Sequence, residues 1–227
     1  STNPNVASVK GSGIKMFFTI DNNVGPSHVF IRIESLKVSI MLAGNATPST
    51  AAVIVEGWLS MQDTPSGREY IGGVAISVPK IKLEGMVAMR LNPKVPAFLI
   101  DIAIELPVPI VMGAGLQLDG FRGLVGNNYV ASQTAAKVPV EPNWYPYYKS
   151  KIGPEFKEGV QASKFEQKKG FALGAGVTIS TIDPQPKKAF TAKVFFLLSL
   201  PDVFLLQGQM AVVKEKLSLT DPNDPPI

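Results

Sequence analysis

From Lys80 to Ile110 the chain alternates between apolar and polar side chains at nearly every residue. Ile81, Leu83, Val87, Met89 and Leu91 share one side, with Lys80, Lys82, Glu84 and Arg90 on the other. After Asn92-Pro93, the segment AFLIDIAIELPVPI places Phe98, Ile100, Ile102, Ile104, Leu106, Val108 and Ile110 on one face and Asp101 and Glu105 opposite. A period of two is that of a β-strand, whose successive side chains point to opposite sides of a sheet. The simplest reading sends the aliphatic face to the core and the carboxylates to water. On that reading Ile102→Asp buries an unpaired carboxylate and destabilises severely, whereas Asp101→Asn is nearly silent.

Similar runs cover Ile14–Ile20, Val29–Leu42, Ala51–Gln62, Glu69–Val78, Lys80–Leu91, Ala97–Met112, Gly115–Phe121, Phe171–Ile182, Ala189–Leu200 and Val203–Leu219, separated by Gly, Pro, Asn and Asp. They predict an all-β fold built mostly of antiparallel hairpins. Several runs exceed the usual strand length of about 5 to 6 residues, which favours an extended sheet, solenoid-like or groove-like, or else a sandwich. The phase slips between Ile33 and Leu36, predicting a bulge near Glu34-Ser35, and Pro79 marks a bend or tight turn. Residues 1–13 and 220–227, small, polar and rich in Pro, Asn and Asp, read as linkers around a single module spanning 14–219.

Alternation disappears from Val130 to Lys169, and one long irregular loop is expected there. It carries the densest aromatic group of the chain, Trp144, Tyr145, Tyr147 and Tyr148, interleaved with Lys149 and Lys151, and a weak helical stretch near Glu155–Gln167. Large rigid rings beside cations suit a protein partner, a sugar or a base, and the alternative is a loop folded back to cap the sheet. The six Lys and three Glu between Lys149 and Lys169 leave a local excess of +3 within an overall +4. No recognition motif accompanies that charge, so a solvated loop is expected rather than a nucleic-acid site.

Composition narrows the chemistry further. Apolar residues make up 45% and charged residues 18%, with 20 Gly and 19 Pro, a balance that is ordered and turn-rich. With no cysteine, disulfides, thiolate metal sites and Cys nucleophiles all drop out, while the compartment stays open. No apolar run is long enough for a transmembrane helix; Val194–Leu206 comes nearest and is broken at Ser199-Leu200-Pro201-Asp202. The first residues carry no apolar segment of the kind a signal peptide needs.

The single histidine, His28, follows a turn-like Gly25-Pro26-Ser27, so no histidine metal cluster can form. Gly113, Gly115, Gly120, Gly123 and Gly126 lack the following helix that a dinucleotide fingerprint requires. Together with Gly174-Ala175-Gly176 they suggest bends or close backbone packing. Asp101 and Glu105, about 13 Å apart along one strand at roughly 3.3 Å per residue, stand too far apart for a glycosidase pair. Asp119 and Arg122 flank Gly120-Phe121 and could pair locally. Asp221, Asn223 and Asp224 supply too few oxygens for Ca²⁺, and Asn45-Ala46-Thr47 is a glycosylation sequon followed by proline. No catalytic, cofactor-binding or metal-binding residue is assigned, and an enzyme is not expected.

Gly170–Val213 and Leu106–Asn128 combine a Gly-rich strand, a long amphipathic strand ending in a Leu-Pro step, and a Gly-Phe-Arg-Gly turn. In these features the chain resembles very large β-rich bacterial repeat proteins of unknown function over about half its length. The resemblance implies one module of a long multi-unit polypeptide and carries over no catalytic residue. The resulting expectation is a non-catalytic structural or interaction module of a larger, exported assembly, extracellular or in the cell envelope, with a protein partner or self-association. The alternative is a carrier of lipid or another hydrophobic ligand, with Ile100, Ile102, Ile104 and Leu106 lining an apolar groove. A membrane β-barrel ranks third.

Overall fold

Short turns hold the strands in register, and each has a local cause. Between Gly67 and the strand before it, the Thr64 hydroxyl donates to the Gly67 carbonyl at 2.7 Å. Pro79–Ile81 forms one 3₁₀ turn, closed by left-handed Lys82, whose amide donates to the Pro79 carbonyl at 3.2 Å. After Asn92, its side-chain oxygen accepts the Lys94 amide at 3.1 Å. Gly113, Ala114 and Gly115 all have positive φ, at 95°, 50° and 74°, a run that two glycines make cheap.

The computed structural model describes residues 6–18, 29–32, 34–42, 51–144, 146–147, 164–182, 187–215 and 217. Its strands are β1 (Val6–Ser12), β2 (Lys15–Phe18), β3 (Val29–Arg32), β4 (Ser35–Leu42), β5 (Val53–Thr64) and β6 (Gly67–Val78). They continue with β7 (Leu83–Asn92), β8 (Ala97–Gly113), β9 (Leu116–Ala131), β10 (Phe165–Thr181), β11 (Lys187–Leu200) and β12 (Val203–Glu215). Ten of them form one sheet in the order β1-β4-β5-β6-β7-β8-β9-β10-β11-β12, and β2 and β3 form a separate hairpin. Every pairing is antiparallel. The protein is all-β, and its sheet is a single open meander, with β1 and β12 at its edges, rather than a solenoid or a two-layer sandwich.

Four boundaries differ from the sequence expectation. Residues 6–12, read as linker, form β1 and pair with β4 from Val6↔Met41 to Ser12↔Ser35. The bulge expected near Glu34-Ser35 is instead the break between β3, in the hairpin, and β4, in the sheet. β9 runs ten residues beyond Phe121 to Ala131, because β8 and β10 pair with it from both sides and override its glycines. β10 starts at Phe165, so Phe165–Gln167, the end of the expected helical stretch, is strand. Residues 155–163 of that stretch, His28, the Asn45 sequon and the acidic tail lie outside the described residues.

One face of the β8–β12 half holds the core: Leu99, Leu124, Tyr129, Phe165, Phe195 and Leu197 are buried there together. Residues 132–144 and 146–147 fold over this face. Ala136, Val138 and Trp144 pack against the cluster and Tyr147 is fully buried in it. The Tyr147 hydroxyl donates to the Lys164 carbonyl at 3.0 Å, and the Ser199 hydroxyl accepts the Ala131 amide at 2.8 Å. Gly174 and Gly176 belong to this packing: a Cβ at either would come within 2.8 and 3.0 Å of the Phe195 ring. The two Gly-Ala-Gly sites are therefore different devices, one a turn and one a seat for an aromatic ring.

Candidate functional site

The register brings an apolar row from every strand in the sheet onto the face opposite the core. A single row runs Ile76, Gly85, Ile104, Phe121, Val177, Val194 and continues to Ala7 at one edge and Gly208 at the other. This apolar face is the open one. Ile102 is 39% exposed and Val74 42%, and Met89, Ile104, Phe121 and Leu173 are exposed to similar degrees. A Cβ built on Gly123 or Gly208 meets nothing within 4 Å. Toward the β5–β6 turn the face ends at the Asp63–Arg68 ion pair, 3.1 Å long.

The opposite face is chemically mixed and largely buried. Asp101 is 7% exposed and receives two hydrogen bonds from Arg122, at 2.9 Å from Nε and 2.5 Å from Nη2. Register explains the pairing: Ala103 faces Arg122 across β8 and β9, so Asp101 lies one diagonal away. The Arg122 guanidinium also lies over the Phe195 ring at 4.2 Å. A second pair sits on β6 and β7, where Arg90 donates to both oxygens of Glu69 at 3.0 Å and to the Phe165 carbonyl at 3.2 Å. Tyr129 donates a short hydrogen bond to Glu69 and lies under Arg90. Burial first, then the bond to Glu69, pushes the Tyr129 phenol up, and burial does the same to Tyr147.

The sequence reading had these faces reversed. Asp101, expected in water, is buried and paired, and Ile102 and Ile104, expected in the core, are on the open side. Ile100 and Leu106 are half-buried. Asp119 and Arg122 do not act as the local pair their spacing suggested: Arg122 turns to Asp101, and Asp119, fully buried at a bulge, accepts from Gln117 at 3.0 Å. Of the aromatic group, Trp144 and Tyr147 meet edge to face at 5.1 Å against the core, which is the capping role. Tyr145, Tyr148, Lys149 and Lys151 lie outside the described residues.

Glu69 and Tyr129 were not singled out from the sequence, Arg90 was read only as part of a polar strand face, and Arg122 was given a different partner. Arg90 and Glu69, on successive strand-like runs, carry a signal in opposite charges that become diagonal neighbours once the β6–β7 turn is placed. Among the described residues no group of three His, Cys, Asp or Glu side chains could hold a metal ion. No helix among them is long and apolar enough to cross a membrane. A shallow hollow lined by Glu56, Ala75, Ser77 and Glu84 holds about 120 Å³, well below the roughly 300–1,000 Å³ of small-molecule sites. Among the described residues the distinctive surface is the open apolar face. The chain matches no known protein-family model, and no curated protein or solved structure is significantly similar to it.

Proposed function

We propose that this chain is a non-catalytic β module that works by apolar contact, as a structural or interaction unit of a larger assembly. The observation that carries the reading is the uninterrupted aliphatic face, in register across ten strands and open to solvent. Contiguous exposed apolar surface on this scale marks an interaction site far more often than it marks an inert surface. The charged side chains in the middle of the sheet, Asp101 with Arg122 and Glu69 with Arg90, are committed to one another beneath the other face. Their role is to hold β6 to β7 and β8 to β9 in register.

A second reading, a carrier of lipid or another hydrophobic ligand, is favoured by the open side chains of Ile102 and Ile104 beside half-buried Ile100. It ranks lower because carriers enclose most of the ligand's surface in a concavity, whereas this surface is an open face. Native mass spectrometry of freshly purified protein, with lipid extraction of the same sample, tests the choice. The interaction reading expects a lipid-free chain in a defined assembly or competent to form one. Stoichiometric co-purified lipid replaces it with the carrier.

A further inference from the structure

We infer that the apolar face is self-complementary and that its occupant is the same face of a second copy of this chain, stacked sheet on sheet about a twofold axis running along β8. The inference rests on the interaction reading above and names its partner. Its basis is the distribution of large and small side chains around β8. In the central row, Val74 and Val87 lie on one side of Ile102, and Gly123 and Ala175 lie on the other. A twofold axis parallel to the strands keeps each row at its own height and exchanges its left and right halves. Val87 of one copy then lies over Gly123 of the other, Val74 lies over Ala175, and Ile102 meets Ile102.

A neighbouring row adds one further match: Gly85 and Phe121 flank Ile104, so the axis sets the ring of one copy over the glycine of the other. Contacts in which residue i meets j and j meets i are what a twofold interface requires. Aligned sheets about 10 Å apart interdigitate side chains in this way, and the angle of roughly 30° that their twist imposes leaves the rows best matched on the strands next to the axis.

The area suffices for a stable pair. Strands β6 to β10 span about 24 Å at about 4.8 Å per strand, and their apolar rows extend about 26 Å along the strands. That is roughly 600 Å² of plane per copy, or about 1,200 Å² for the pair, at the lower bound of specific stable interfaces. Corrugation by side chains adds to it. The Asp63–Arg68 ion pair, partly exposed at the β5–β6 end, supplies part of the polar rim that such interfaces carry.

The test is the molar mass of the full chain by light scattering and native mass spectrometry over a micromolar dilution series. The wild type, Gly123→Val, and Val87→Ala combined with Gly123→Val are compared. The wild type is expected to dimerise. Gly123→Val, whose added Cβ meets nothing in the single copy, should keep the circular dichroism and, at dilutions where both proteins are monomeric, the melting temperature, but weaken the dimer about tenfold or more by overpacking against Val87 of the second copy. Shrinking Val87 in the double variant should restore most of the affinity.

A dimer indifferent to Gly123→Val uses another surface and overturns the inference. A wild type that stays monomeric and lipid-free also overturns it, while leaving the interaction reading in place with a different partner. A monomer that co-purifies with lipid, or that partitions into phosphatidylcholine vesicles, overturns both.

Discussion

The two faces of the sheet are built on opposite plans. The aliphatic face, which carries the hydrophobic pattern, is open, and the face that carries Asp101, Arg122, Glu69 and Arg90 is closed by residues 132–144 and 146–147 and by its own ion pairs. Stability therefore resides mainly where the charges are. A buried pair contributes little net energy over a well-packed apolar replacement, but removing one partner leaves an uncompensated charge. The aliphatic face has already given up part of its water to neighbouring side chains on the pleat and gains the rest only when something covers it.

The comparison breaks most sharply at Arg122. Arg122→Met should cost about 3–5 kcal/mol by stranding the Asp101 carboxylate, while Ile102→Asp, one residue along from Asp101 on the open face, should cost about 1 kcal/mol or less at dilutions where the chain is monomeric. Urea unfolding of both variants measures the contrast, and equal losses would mean that the assignment of the faces is wrong. Tyr147→Ala comes next, since it empties a fully buried position in the core. It should lower stability by about 3–5 kcal/mol, so a large drop in melting temperature is expected rather than a selective loss of binding.

A matched pair of glycines sharpens the same contrast at smaller amplitude. Gly174→Ala drives a Cβ to within 2.8 Å of Phe195 on the closed face and should cost about 1–3 kcal/mol. Gly123→Ala on the open face meets nothing, and should be neutral or slightly stabilising because alanine loses less backbone freedom on folding. Thermal melts of the two proteins decide it, and a loss at Gly123 equal to that at Gly174 would show that both faces are packed.

The smallest effect is one of pH. Burial raises the Tyr147 phenol above its ordinary value, near 10 in an unfolded chain. A group raised on folding contributes stability that is complete below its unfolded value and lost as pH climbs toward the folded one. Unfolding free energy should therefore decline above about pH 10, and less steeply in Tyr147→Phe. An unchanged slope in that variant would place the alkaline sensitivity elsewhere, with Tyr129 the next group to replace.

Strand identity was legible because a period of two depends only on local geometry: β8 was expected at Ala97–Met112 and spans Ala97–Gly113. β9 was legible only to Phe121, because Gly123, Gly126 and Asn127-Asn128 weaken the local preference that its neighbours then supply. The apolar positions Ile100, Ile102, Ile104 and Leu106 were legible as a set, but the choice between a dry core and an open groove was not. Nothing local distinguishes a covered aliphatic face from an open one.

By itself, then, the order of residues determined the all-β class, the antiparallel hairpins and the grouping of side chains into two faces, since each follows from propensity, turn chemistry and alternation over a few residues. The tertiary structure alone decided which face is covered. That choice depends on Trp144 and Tyr147 returning to the sheet from a distant segment, and on Asp101 and Glu69 finding Arg122 and Arg90 across strand registers. Burial is a property of what lies opposite a residue in space, and alternation along one strand records only which residues will share that environment.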